Sequence, residues 1–106
     1  MAVKQQFQSF EDLLAGAEVP VLVDFYATWC GPCQMMAGIL NTVSSQLKGQ
    51  IKVVKIDTDK YPEIASQYRV AALPTLVLFK AGQPIDRIEG VLPADQLVAR
   101  LRPYLA

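Results

Sequence analysis

The chain has two cysteines, Cys30 and Cys33, inside the run TWCGPC at 28–33. A pair at this spacing can staple a fold, supply half of a metal site, or exchange electrons with other disulfides. A structural zinc site takes four Cys or His ligands, and the chain has no histidine. No acidic residue neighbours the motif to complete such a site. A zinc or 2Fe–2S centre would need two copies to pool their pairs, across an interface that nothing in the sequence announces. No metal is therefore expected. A staple is unnecessary too, because 106 residues with a 52% hydrophobic content can build an adequate core. In a reducing compartment an isolated Cys-x-x-Cys reads as reactive.

The redox reading gains from the motif's position between an apolar run and a helical pattern. Cys30 falls at or just before a helix N-terminus, where free backbone N–H groups and the positive dipole end favour a thiolate. The thiolate is the attacking species in disulfide exchange, so Cys30 is the expected nucleophile. Cys33, one turn on, begins the helix's apolar stripe. It is expected to be more buried, higher in pKa and close enough to resolve a mixed disulfide. Gly31 allows a tight turn and Pro32 suits the first helical turn.

The elements that must hold this pair alternate along the chain. Val3–Phe7 reads as a short first strand, and Ser9 with Glu11 and Asp12 as a helix start. Residues 19–27 form a nearly continuous apolar run, suited to a strand covered on both faces. From Pro32 to Leu47, Cys33, Met36, Leu40, Val43 and Leu47 share one helical face. Strands follow at 51–56 and 75–79, with a helix at 62–69 started by Pro62. A turn at 81–83 leads to an edge-like strand at 85–89, and Pro93 starts the last helix. The order β-α-β-α-β-α-β-β-α implies one α/β domain over 1–106, with a mixed sheet between helices.

Composition excludes several classes. Ten basic and ten acidic residues balance, and no basic block marks a nucleic-acid or membrane-binding surface. The N-terminus lacks a secretory h-region, and the longest apolar run, at 70–79, is broken by Pro74. The expectation is a soluble, cytoplasmic protein, or one of an organelle stroma after removal of a transit peptide.

The segments VDFYATWCGPC (23–33), VKID (54–57), LPTL (73–76), FKAG (79–82) and Gly90 resemble the thioredoxin family in order and spacing over nearly the whole length. YATWCGPCQ (26–34) and KIDTDKYP (55–62) look most like the y-type thioredoxins of plastids and cyanobacteria. The resemblance implies a thioredoxin fold, with a five-stranded mixed sheet flanked by four helices. It implies a monomeric thiol–disulfide oxidoreductase that reduces disulfides in target proteins. A reductase, NADPH-flavoprotein or ferredoxin-dependent, would recharge it, and no bound cofactor is needed. Asp24 matches the family's buried acid, which would take the proton of Cys33, and Lys55 matches that acid's partner. Pro74 matches the family's cis-proline. Leu73, Pro74 and Thr75 would then pair with an extended target segment beside Trp29, Gly31, Pro32, Gly90 and Val91.

Three positions depart from the family pattern. Tyr26 stands where tryptophan is common, Gln34 replaces a frequent basic residue, and Gly38 replaces a helix-kinking proline. An aspartate inside VLVDFY is costly if ionised and unpaired, so the pKa of Asp24 should be raised. Two alternatives stay open on sequence alone: a module that binds partners regardless of redox state, and the metal-bridged dimer.

Overall fold

The computed structural model describes residues 10–105. The expected first strand at 3–7 and the helix start at Ser9 lie outside them. Residues 10–16 are helical (α1). Strands β1 (Val21–Tyr26), β2 (Lys52–Asp57), β3 (Thr75–Lys80) and β4 (Gln83–Glu89) alternate with α2 (Gly31–Gln46), α3 (Pro62–Gln67) and α4 (Ala94–Leu101). The sheet runs β2-β1-β3-β4, with β1 parallel to β2 and antiparallel to β3, and β3 antiparallel to β4. The mixed α/β sandwich is the expected one. Its sheet has four strands among the described residues rather than five, because the fifth was expected at 3–7.

Side-chain alternation explains the two layers. On β1, Leu22 points to one face and packs with Met36, Leu40 and Val43 of α2 and Leu97 and Leu101 of α4. Val23 and Phe25 point to the other, where they meet Phe10, Leu14, Ile64 and Phe79. Burial on both faces is why β1 reads as an unbroken apolar run.

Element ends shift by one or two residues from expectation, and two of the differences have a clear backbone reason. Ala81 and Gly82 both have positive φ, 52° and 79°, which makes a two-residue hairpin of the type whose twist matches paired strands. Pairing therefore begins at once, Lys80 against Gln83, and β4 starts two residues earlier than expected. Helix α3 ends at Gln67 instead of 69 because Arg69 turns left-handed at φ 54°. The Arg69 N–H bonds the Ser66 carbonyl and the Val70 N–H bonds that of Ala65, a Schellman closure. Arg87 of β4 reaches across to the carbonyls of Tyr68 (2.5 Å) and Arg69 (2.6 Å), anchoring the start of the loop that leads to Pro74.

Candidate functional site

At the C-terminal end of β1 the chain turns through Ala27 and enters α2, and Cys30 becomes the helix N-cap. Its sulfur accepts a hydrogen bond from the Cys33 N–H at 3.2 Å. That amide is one of the donors a helix leaves unpaired at its first turn, and here it points at sulfur. Cys30 and Cys33 are joined as a disulfide, with their Cα atoms 5.2 Å apart. Ala27, Cys30 and Cys33 form a small buried cluster, edged by Tyr26 and Leu73. The expected contrast in burial is slight in this oxidised form, 6% exposed for Cys30 against 4% for Cys33. Both sulfurs lie under the same neighbours.

Asp24 lies on the α2 face of β1, between Leu22 and Tyr26. It is fully buried, and neither carboxylate oxygen has a hydrogen-bond partner. Burial pushes its pKa up from 3.8 to about 6, and the nearby charge of Lys55 pulls the other way. Lys55 sits directly across from Asp24 in the parallel pair β1–β2. It acts through its field and not by contact: among the described residues no ion pair joins the two. Its ammonium lies 5.1 Å from the centroid of the Tyr26 ring.

Around the disulfide the surface is mostly apolar. Trp29 is 71% exposed, and its indole Nε1–H donates to Asp59 Oδ2 at 2.9 Å. Gly31 and Pro32 are exposed beside it, and Leu73, Gly90 and Val91 are half-buried. The Leu73–Pro74 bond is cis. Gly90, at φ 89°, donates its N–H to the Pro74 carbonyl at 2.9 Å and so ties the end of β4 to this loop. The Leu73 N–H and carbonyl have no backbone partner among the described residues. Thr75 differs from its neighbours in the loop. Its side chain is fully buried, and its hydroxyl donates to the Ala72 carbonyl at 2.6 Å, so it braces the loop from inside.

Asp59 was not legible from spacing, since the DTD run at 57–59 reads only as a turn. Its signal is positional: a turn after a strand parallel to β1 ends beside the segment that follows β1. Asp57, also buried, accepts from the Asp59 and Lys60 N–H groups and shapes that turn. No group of three or more Cys, Asp or Glu side chains is arranged to hold a metal ion among the described residues. No helix there is long and apolar enough to cross a membrane.

A strand-to-helix junction presenting an N-capping cysteine, its helical partner and a cis-proline loop defines a thiol–disulfide exchange site. The Thioredoxin family signature matches residues 1–103, and the chain belongs to that family of thiol–disulfide oxidoreductases. It is 65% identical to a thioredoxin-like protein of Synechocystis over 105 residues, covering 99% of this chain and all of the relative. It is 62% identical to chloroplastic thioredoxin Y1 of Arabidopsis thaliana, covering 98% of this chain but 60% of that relative's length. Among solved structures, chloroplastic thioredoxin z superposes with a TM-score of 0.83 at 39% identity, over 92% of this chain and 88% of that one. Oxidised mitochondrial thioredoxin 3 of Saccharomyces cerevisiae matches equally well, with a TM-score of 0.83 at 36% identity over 92% and 89% of the two chains.

Proposed function

We propose that the protein is a general protein-disulfide reductase in which Cys30 attacks, Cys33 resolves and Asp24 carries the proton. The Cys30 thiolate attacks one sulfur of a target disulfide, forming a mixed disulfide and releasing the other target sulfur as a thiolate. Cys33 gives its proton to the Asp24 carboxylate, and its thiolate attacks Cys30 Sγ. The second target sulfur leaves, and the Cys30–Cys33 disulfide remains. Two electrons from a reductase, of NADPH-flavoprotein or ferredoxin-dependent type, restore the dithiol. Lys55 tunes Asp24 electrostatically. The target lies extended along Leu73, whose free backbone groups offer strand-like pairing, while Trp29, Gly31, Pro32, Gly90 and Val91 contact its side chains. Pro74 and Thr75 hold the loop for that contact. The protein works as a monomer in the cytosol or the plastid stroma, in keeping with the chloroplastic relatives.

The observation that carries this reading is the Cys33 N–H aimed at Cys30 sulfur on the N-cap of a 16-residue helix. A donor fixed there stabilises negative charge on Cys30 and on no other sulfur. The test is insulin reduction with each class of reductase in turn, alongside single-cysteine variants. Cys30→Ser should abolish activity, and Cys33→Ser should accumulate mixed disulfides on a thiol column. Near-wild-type reduction by Cys30→Ser overturns the assignment.

A further inference from the structure

Tyr26 is half-buried at the end of β1, and it has no part in the thiol chemistry described above. It nevertheless touches the groups on either side of Asp24. Leu22, Asp24 and Tyr26 alternate onto the face of β1 that α2 covers. Tyr26 packs against Ala27, Cys30 and Cys33, while Leu22 packs under Met36 and Leu40. Because β2 runs parallel and in register, Lys55 arrives on this same face opposite Asp24. It then leans along the strand direction, so that its ammonium stands over the Tyr26 ring. An exposed lysine without a partner spreads over many rotamers, and its average field on any one neighbour is weak. The negative face of an aromatic ring gives the ammonium one preferred seat.

We propose that Tyr26 is a positioning residue: its ring holds the Lys55 ammonium where its charge acts on the Asp24 carboxyl. Among the described residues, the other groups facing Asp24 supply no rival cation. Helix α2 carries no charged side chain from Gly31 to Gln46, Gln34 included. The β3 residue opposite Asp24 is Leu76. On this face of β2 the one other ionisable group is Asp57, whose carboxylate is engaged by the Asp59 and Lys60 amides, while Lys52 alternates onto the opposite face. Tyr26 and Gln34, both departures from the family pattern, thus meet at one electrostatic point: the charge absent after Cys33 leaves Lys55 as the cation, and Tyr26 places it. For turnover, the consequence rests on the reading of Asp24 as the proton carrier; the positioning itself does not.

The test follows the Asp24 carboxyl by carbon NMR through a pH titration of the oxidised protein, in which the cysteines do not titrate. Tyr26→Leu should raise the Asp24 pKa by about half a unit, the scale of an exposed cation–π contact. Tyr26→Phe keeps the ring and should leave it near wild type. In a Lys55→Met background, Tyr26→Leu should add no further shift. Should the leucine variant fold poorly, a pentafluorinated phenyl ring at position 26, nearly the same shape with a reversed face, should raise the pKa as leucine does. A Tyr26→Leu shift that persists without Lys55, or no shift with either the leucine or the fluorinated ring, overturns the proposal. If the NMR shifts appear as expected while the pH profile of insulin reduction ignores them, the positioning stands and the proton-carrier reading falls.

Discussion

Among the described residues two buried aspartates lie on neighbouring strands, and they are treated in opposite ways. Asp57, at the end of β2, accepts hydrogen bonds from two backbone N–H groups and organises the turn that carries Asp59 to Trp29. Asp24, two residues before the end of β1, is more deeply buried and accepts none. A carboxylate that builds structure is satisfied by the structure it builds. One left without partners in a core is destabilising, and folding tolerates it only at a loss of stability when it is charged. That difference separates a turn-forming acid from the one we propose takes a proton.

The comparison is sharpened most by replacing Asp24. Its folded pKa, about 6, lies above the ordinary 3.8, so the folded state binds the proton more tightly than the unfolded chain. The stability it withholds is absent below about pH 4, grows as pH rises, and is complete above about pH 6. Asp24→Asn should therefore gain on wild type by about 3 kcal/mol between pH 4 and pH 8, measured by urea unfolding across that range. A pH-independent difference would break the contrast from one side. Asp57→Ala should act in the opposite direction, destabilising by about 1–3 kcal/mol because two amides of a part-buried turn lose their acceptor. Urea unfolding at neutral pH checks it, and a neutral or stabilising result would break the contrast from the other side. The smallest effect lies outside both acids. Gly38 is exposed within α2, and a Cβ there would meet nothing within 4 Å. Gly38→Ala should stabilise by about 1 kcal/mol in the same assay without altering turnover, showing that stability and the acid site can be changed independently.

Much of this was legible in the sequence, for identifiable reasons. The cysteine pair, its place at a strand-to-helix junction and the stripe from Cys33 to Leu47 follow from local pattern, and α2 was placed to within a residue. The raised pKa of Asp24 follows from a charge in an apolar run. Other features depend on contacts that no local pattern carries. The cis bond at Pro74 came from family resemblance, since local physics favours trans. Trp29 and Asp59 are 30 positions apart and meet only because β2 lies parallel to β1. Thr75 looked like part of the docking surface, yet its hydroxyl is turned inward to Ala72. Lys55 stands across from Asp24 in the strand pair, but its ammonium rests on Tyr26, which strand register alone does not specify.

The central claim, that Asp24 is kept without partners in order to carry the Cys33 proton, is tested most directly by the pH profile of insulin reduction for wild type and Asp24→Asn. The variant should be slowest relative to wild type near neutral pH, and the gap should close at high pH, where Cys33 loses its proton to solvent without help. A rate ratio that stays constant from pH 6 to about pH 9, the range over which a thiol ordinarily titrates, would contradict it.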